Sequence, residues 1–407
     1  MPEMQVVGDR IAYHRKRLGL SQVEFAGLVG RSESWVSQVE RGVRPVDRMS
    51  VLQKVADVLS VPVTELRADD EQPQDTGERP EAFDTIRSAL TGHPAIGTVL
   101  GAAQRAVSRD ALDEMCKRHS EVWELVHAGR YTKLAPVLAS LIPDLESAAR
   151  NAQSEELRIS ARELLTDTYQ AAAAALSKLG ETDAAWIAAD RAGLIAESIG
   201  EPLAVAASMF RMAHVFLSLG RIDQAQQVAN ATSQALKSTI DRESTPEALS
   251  LYGAFHLVLA IAAARDNDRS AAYDHLDIAR DISIRVGQDR NDYGTEFGPS
   301  NVAIHAVGVA VELGDAGHAL DLAREVNTEQ LSPERRSRYL IDLAVAHAMR
   351  RQIGEALRDL QEAETIAPEQ TRTHRVARDV ARDLLQLSSL RPRPELRELA
   401  ERFGVLP

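Results

Sequence analysis

Along most of the chain apolar residues return at three- and four-residue spacing, the period of helices that bury one face. From about residue 82 to the end there is no sustained alternation of the kind a half-buried strand needs. The first 66 residues read as five short helices with sharp stops. The first runs from about Val7 to Leu18 and stops at Gly19. Ser21, with Glu24 three positions on, forms a capping box for the second, which Gly30 ends. Ser32 caps a third that Gly42 ends, a fourth begins after Pro45 near Asp47, and a fifth starts around Pro62. Phe25, Ala26, Val29, Val36, Val39, Leu52, Val55 and Leu59 have the spacing of a small core. Residues 67–81, RADDEQPQDTGERPE, are polar and contain proline, which predicts a linker. The pattern predicts an all-α protein with a helical unit at 1–66, a linker at 67–81 and a larger helical unit at 82–407.

The larger unit repeats. A small or polar turn residue is followed five positions later by Ala at Gly180/Ala185, Gly220/Ala225, Asn267/Ala272, Gly314/Ala319 and Arg351/Ala356. Seven residues before each turn stand Ala173, Ala213, Ala260, Val307 and Ala344. Seven after each Ala stand Ala192, Thr232, Ala279, Val326 and Ala363. Small residues at three fixed points let two antiparallel helices approach closely, as a helical-pair solenoid requires. A weaker unit is expected at 119–147 with its turn at Gly129, a capping helix at Arg375–Leu390 and a short one at Pro394–Phe403. Asn291–Asn301, NDYGTEFGPSN, breaks the pattern and is expected to be a loop, either a wall of the groove or an ordinary connection.

Charge changes the functional picture. The net charge of −13 argues against nucleic acid until it is divided. Residues 1–66 carry +1 and the remainder −14. A near-neutral module can bind DNA when its cations share a face. The single cysteine, Cys116, leaves no disulfide framework or cysteine-rich zinc site. With no apolar stretch of membrane-spanning length and no h-region in Met1–Arg10, a cytoplasmic setting is expected, away from any membrane.

Two short helices joined through a glycine make a helix-turn-helix. Over about 60 residues the chain resembles the XRE, or lambda-repressor-like, DNA-binding family. The matching residues are Arg15, Gly19-Leu20-Ser21-Gln22, Phe25-Ala26, Val29-Gly30, Val36-Ser37, Val39-Glu40 and Arg41-Gly42. The resemblance implies that Arg15 and Glu40 tie the first helix to the third. Helix three would present Glu33, Ser34, Ser37 and Gln38 to double-stranded DNA, where Gln suits adenine. Gln22, at the start of helix two, and Arg41 and Arg44, after helix three, would meet phosphates. Trp35 is open to either DNA contact or packing.

The repeat offsets resemble tetratricopeptide repeats, although the large aromatic early in the first helix of each pair is mostly absent. By register with that family the concave face includes Gln170, Phe210, His214, Asn301, Ile304 and Arg338. Their mix of apolar and polar groups suits a peptide or small-molecule effector. The alternative is that they are core between repeats. The whole arrangement resembles XRE-type regulators of actinobacteria and, more loosely, the RRNPP quorum-sensing receptors. That resemblance implies a homodimer on a pseudo-palindromic operator. The rival reading is an interaction module or scaffold that binds a protein partner, with DNA binding secondary. No P-loop, HExxH or GxSxG elbow is present, so neither an enzyme nor a cofactor is expected.

Overall fold

The computed structural model describes residues 2–44, 46, 49–59, 61, 66, 81–91, 107–240, 245–388 and 393–406. Among the described residues the N-terminal unit has four helices: α1 (Pro2–Arg17), α2 (Gln22–Val29), α3 (Glu33–Glu40) and α4 (Met49–Leu59). The first starts earlier than its apolar spacing suggested. The helix expected around Pro62, and the linker up to residue 80, lie outside the described residues, apart from Leu66, which is buried. The eight core positions read from the sequence are all buried, and Trp35 joins them. Ser21 accepts from the Glu24 amide while the Glu24 carboxylate accepts from Ser21, so the capping box is closed in both directions.

Beyond it come α5 (Glu81–Thr91), α6 (Arg109–Ser120), α7 (Val122–His127) and α8 (Tyr131–Asn151). Five helix pairs follow. They are α9 (Glu155–Lys178) with α10 (Thr182–Ile199), α11 (Pro202–Ser218) with α12 (Ile222–Ile240), and α13 (Pro246–Arg265) with α14 (Arg269–Val286). The last two are α15 (Pro299–Glu312) with α16 (Ala316–Ala323), and α17 (Pro333–Met349) with α18 (Ile353–Ile366). The chain ends in α19 (Pro368–Thr373), α20 (Arg375–Leu387) and α21 (Pro394–Arg402). Among the described residues the fold is all-α, with one isolated bridge between Val107 and Ala152. By length and composition α13 could cross a bilayer, yet 89% of its apolar window is buried inside the protein, as in a core helix.

The repeat offset has a conformational cause. Gly180, Gly220, Asn267, Gly314 and Arg351, the five turn residues, all have left-handed φ, between 58° and 80°. Each turns the chain from the first helix of a pair into the second. The Ala five positions later is fully buried in all five pairs, and so are Ala213, Ala260, Val307 and Ala344 before the turns. Small side chains there let the paired helices close on one another.

The superhelix brings its two ends together. The Tyr131 hydroxyl donates to Gln370 Oε1 (3.0 Å), and the Thr132 amide donates to Glu369 (2.7 Å). Lys178 on α9 pairs with Glu334 on α17 at 3.0 Å. The inner face is therefore enclosed rather than an open groove.

The N-terminal unit sits on this body through α1. Arg17, 8% exposed, holds Asp383 through Nε and Nη2 (both 2.6 Å), with Asp379 at 3.7 Å. Tyr13 donates its hydroxyl to Asp379 (2.9 Å), and Lys16 Nζ donates to the carbonyl of Glu312 (3.2 Å). Gly19 lies so close to the Met349 carbonyl that a Cβ there would stand 2.9 Å away. A linker reading alone left the unit loosely tethered; these contacts dock it directly.

A left-handed conformation costs an L-residue roughly 1–2 kcal/mol, which glycine avoids in the folded state while losing more chain entropy on folding. Arg351 is exposed. Arg351→Gly is expected to stabilise the chain by about 0.5–1 kcal/mol, raising the melting temperature by about 1 °C in a scanning-calorimetry comparison. An unchanged or lower melting temperature would show that the turn is not strained.

Candidate functional site

The structure offers two surfaces. On the N-terminal unit, Ser32 caps α3 by accepting from the Trp35 amide (3.2 Å). Trp35, Val36 and Val39 turn into the core, which leaves the opposite side of α3 to solvent. Glu33 and Ser34 are exposed, while Ser37 and Gln38 are half-buried one turn on. Gln38 Nε2 lies 3.5 Å from Ser34 Oγ, so the stripe is polar, short and lightly tied. Arg41 reaches back to the Ser37 carbonyl (3.1 Å), and Arg44 is exposed.

Behind the stripe stands a buried ion pair. Arg15 donates through Nε and Nη2 to the two oxygens of Glu40 (2.5 and 2.9 Å), and Nη1 donates to the Leu20 carbonyl. It ties α1 to α3 and to the turn before α2. Gln22 is turned toward it, its amide donating to Glu40 Oε2 (2.7 Å). The side chain read as a phosphate contact thus holds the carboxylate that orients α3. Trp35 packs in the core with the Arg31 guanidinium over its ring.

The second surface is the enclosed inner face of the repeats. Four of the six positions expected to line it are buried, though Phe210 packs against Arg211 and His214, and the Asn301 carbonyl accepts from His305. Gln170, Phe210, Asn301 and Ile304 are between 1% and 4% exposed. Gln170 Nε2 binds Ala204 O and Ser208 Oγ on the next pair, so it is core between repeats. The alanine-rich helices pack so closely that these positions lose their accessible surface. His214 and Arg338 do keep accessible surface.

Charged residues that periodicity passed over complete the face. Arg265 Nε donates to Glu312 (3.1 Å), and Arg338 donates to His374 Nε2 (2.9 Å), 3.6 Å from Asp342. Lys178, Glu334, Arg335 and Glu296 form a chain of ion pairs that ends on His127. The segment from residue 291 to 298 closes one side, with Phe297 fully buried against Gly253. The signal for this face was a charge inside an otherwise apolar helix, as with Arg211 in ASMFRMAHVF.

Comparison with known proteins bears on the first surface. Residues 6–68 match a family described as a helix-turn-helix domain. The chain is similar to the HTH-type transcriptional regulator SinR of Bacillus subtilis (strain 168), 30% identical over 87 residues. SinR of Bacillus licheniformis is 34% identical over 86 residues. Each match covers 21% of this chain and 78% of the relative.

Burial governs titration here. Burial first, then neighbouring cations, holds His14, His305 and His374 at about 3. Burial and His275 hold His256 at about 4. In the unfolded chain each returns to about 6.5. Between those values the unfolded state binds more protons, so stability falls as pH drops. Asp342, Asp359 and Asp383, which burial raises to about 6, act the other way between pH 6 and about 4. The histidines span the wider range. The melting temperature is expected to fall by several degrees from pH 7.5 to pH 5 in scanning calorimetry; a rise would contradict the buried, neutral histidines.

Proposed function

The chain belongs to the helix-turn-helix family of transcriptional regulators, and from that premise we propose that it binds a pseudo-palindromic operator as a homodimer. The repeat region, read as tetratricopeptide-like, then tunes that binding when a small effector enters its inner face. The proposed protein is a regulator without a catalytic step.

One observation carries the reading. Helix α1 has two occupied faces, one holding α3 through Arg15–Glu40 and the other seated on the repeats through Tyr13, Lys16 and Arg17. The polar stripe of α3 stays open in this docked state. Ser34, Ser37 and Gln38 are the proposed base readers, with Glu33 at the edge, and Arg41 and Arg44 hold the backbone. Gln22 acts by positioning Glu40. A single small unit makes too few contacts for specific binding at physiological salt, and a two-fold dimer doubles them.

An effector inside the superhelix meets the side chain of Glu312, whose carbonyl accepts from Lys16. A shift at the C-terminal end of α15 therefore reaches α1. A ligand alters DNA affinity only as far as it distinguishes two such arrangements. The contacts between the two ends favour a small molecule over an extended peptide as the effector.

Binding to a selected operator, read by competition at fixed salt, tests the base readers. Gln38→Ala should cost about 1–3 kcal/mol and relax preference at one base pair per half-site. Arg44→Ala should weaken all sequences alike and flatten the salt dependence. If Gln38→Ala keeps full sequence preference, α3 is not read through this stripe.

A further inference from the structure

The inner face holds a buried arginine with no ion pair of its own among the described residues. Arg211, on α11, is 6% exposed and lies between two aromatic rings, with its guanidinium carbon 5.0 Å from the centre of Trp123 and 5.1 Å from that of Phe210. Among the described residues its one hydrogen-bond acceptor is the carbonyl of Tyr293 (2.6 Å), and it makes no ion pair. Its Nε has no partner. A buried cation in this state is costly unless something compensates it. Burial, followed by Arg335, pulls its pKa down to about 10.

Three carboxylates, Asp167, Glu296 and Glu334, lie within electrostatic range of it, but each is engaged elsewhere: Asp167 with Trp123 and His119, Glu296 with Arg335, and Glu334 with Lys178 and Arg335. His214 lies one turn along α11, partly accessible, and its ring nitrogens make no hydrogen bond among the described residues. Burial, then Arg211, Arg335, His305 and Lys178, holds it well below the ordinary histidine value. His305, within electrostatic range of His214, donates Nδ1 to the Asn301 carbonyl at 2.8 Å, which leaves its Nε2 without a hydrogen-bond partner among the described residues.

The wall is strained as well. Tyr293 and Glu296 both have φ of 51°, an outlying conformation for bulky side chains. Both are fixed by these cations. The Tyr293 carbonyl accepts from Arg211, and Glu296 pairs with Arg335 at 3.3 Å. Strain of this kind persists where the surroundings over-determine it, and ligand clamps are one such place.

We propose that this end of the inner face is a binding site for a small oxyanion, a carboxylate or phosphate group of a metabolite, gripped by Arg211 with His214 and His305. It rests on the effector reading above and names the chemistry of that effector. The anion supplies the direct ion pair that Arg211 lacks, and the imidazoles gain donors by taking up protons as it binds.

The test uses the full chain with sodium phosphate and sodium succinate as probes, against sodium chloride at matched ionic strength. Thermal melting and calorimetric titration in two buffers of different ionisation enthalpy are the readouts. At least one probe is expected to raise the melting temperature with proton uptake, and the arm that responds identifies phosphate or carboxylate. Arg211→Met, which keeps the apolar stem between the rings, should still unfold in one cooperative transition without anion and bind the probe at least tenfold more weakly. His214→Gln should reduce the proton uptake. If neither probe stabilises wild type, or if Arg211→Met binds as wild type does, the site is overturned. DNA titration with the same probe separates the two proposals. Anion binding with unchanged DNA affinity keeps the site and overturns the effector reading. A DNA response to cell extract without any response to either anion does the reverse.

Discussion

Helix α1 is held by the N-terminal unit and by the repeats at once, and the arrangement of the molecule depends on that. Arg15 reaches into the N-terminal unit and grips Glu40, while Arg17, two residues on, points the other way and grips Asp383. Both pairs are buried, so removing one partner from either leaves an uncompensated charge, at about 3–5 kcal/mol. The docked orientation of α3 is thus fixed by directed interactions and does not depend on the connecting segment.

The same geometry makes the interior of the repeats relevant to DNA. Glu312 accepts from Arg265 through its side chain and from Lys16 through its carbonyl. An occupant that rearranged the inner ion pairs would act on the last turn of α15, against which α1 is seated. Packed helices shift between discrete positions more readily than they deform, which is how a small local change becomes a rotation of the docked unit.

Much of this was legible in the sequence for plain reasons. The capping box at Ser21 and the core of the N-terminal unit are local patterns, and both are present. The five-residue offset marked turns whose left-handed backbone extends even to Asn267 and Arg351, so the repeat was readable where glycine was missing. The inner face was not legible. Which side of an alanine-rich helix faces inward depends on superhelical twist, a tertiary property; Gln170 fell between repeats, while Phe210 and Asn301 are buried against Arg211, His214 and His305. The docking of α1 was equally hidden, because Asp379 and Asp383 lie over 360 residues away in sequence and resemble an ordinary solvated helix face.

The most direct test of the central claim is a distance measurement between the two units. Spin labels at Val43 and Trp186, both exposed, in a Cys116→Ser background report it by pulsed electron resonance. A docked unit gives one narrow distance distribution in wild type that broadens in Arg17→Met. A distribution already broad in wild type, and unchanged by that substitution, would contradict the account.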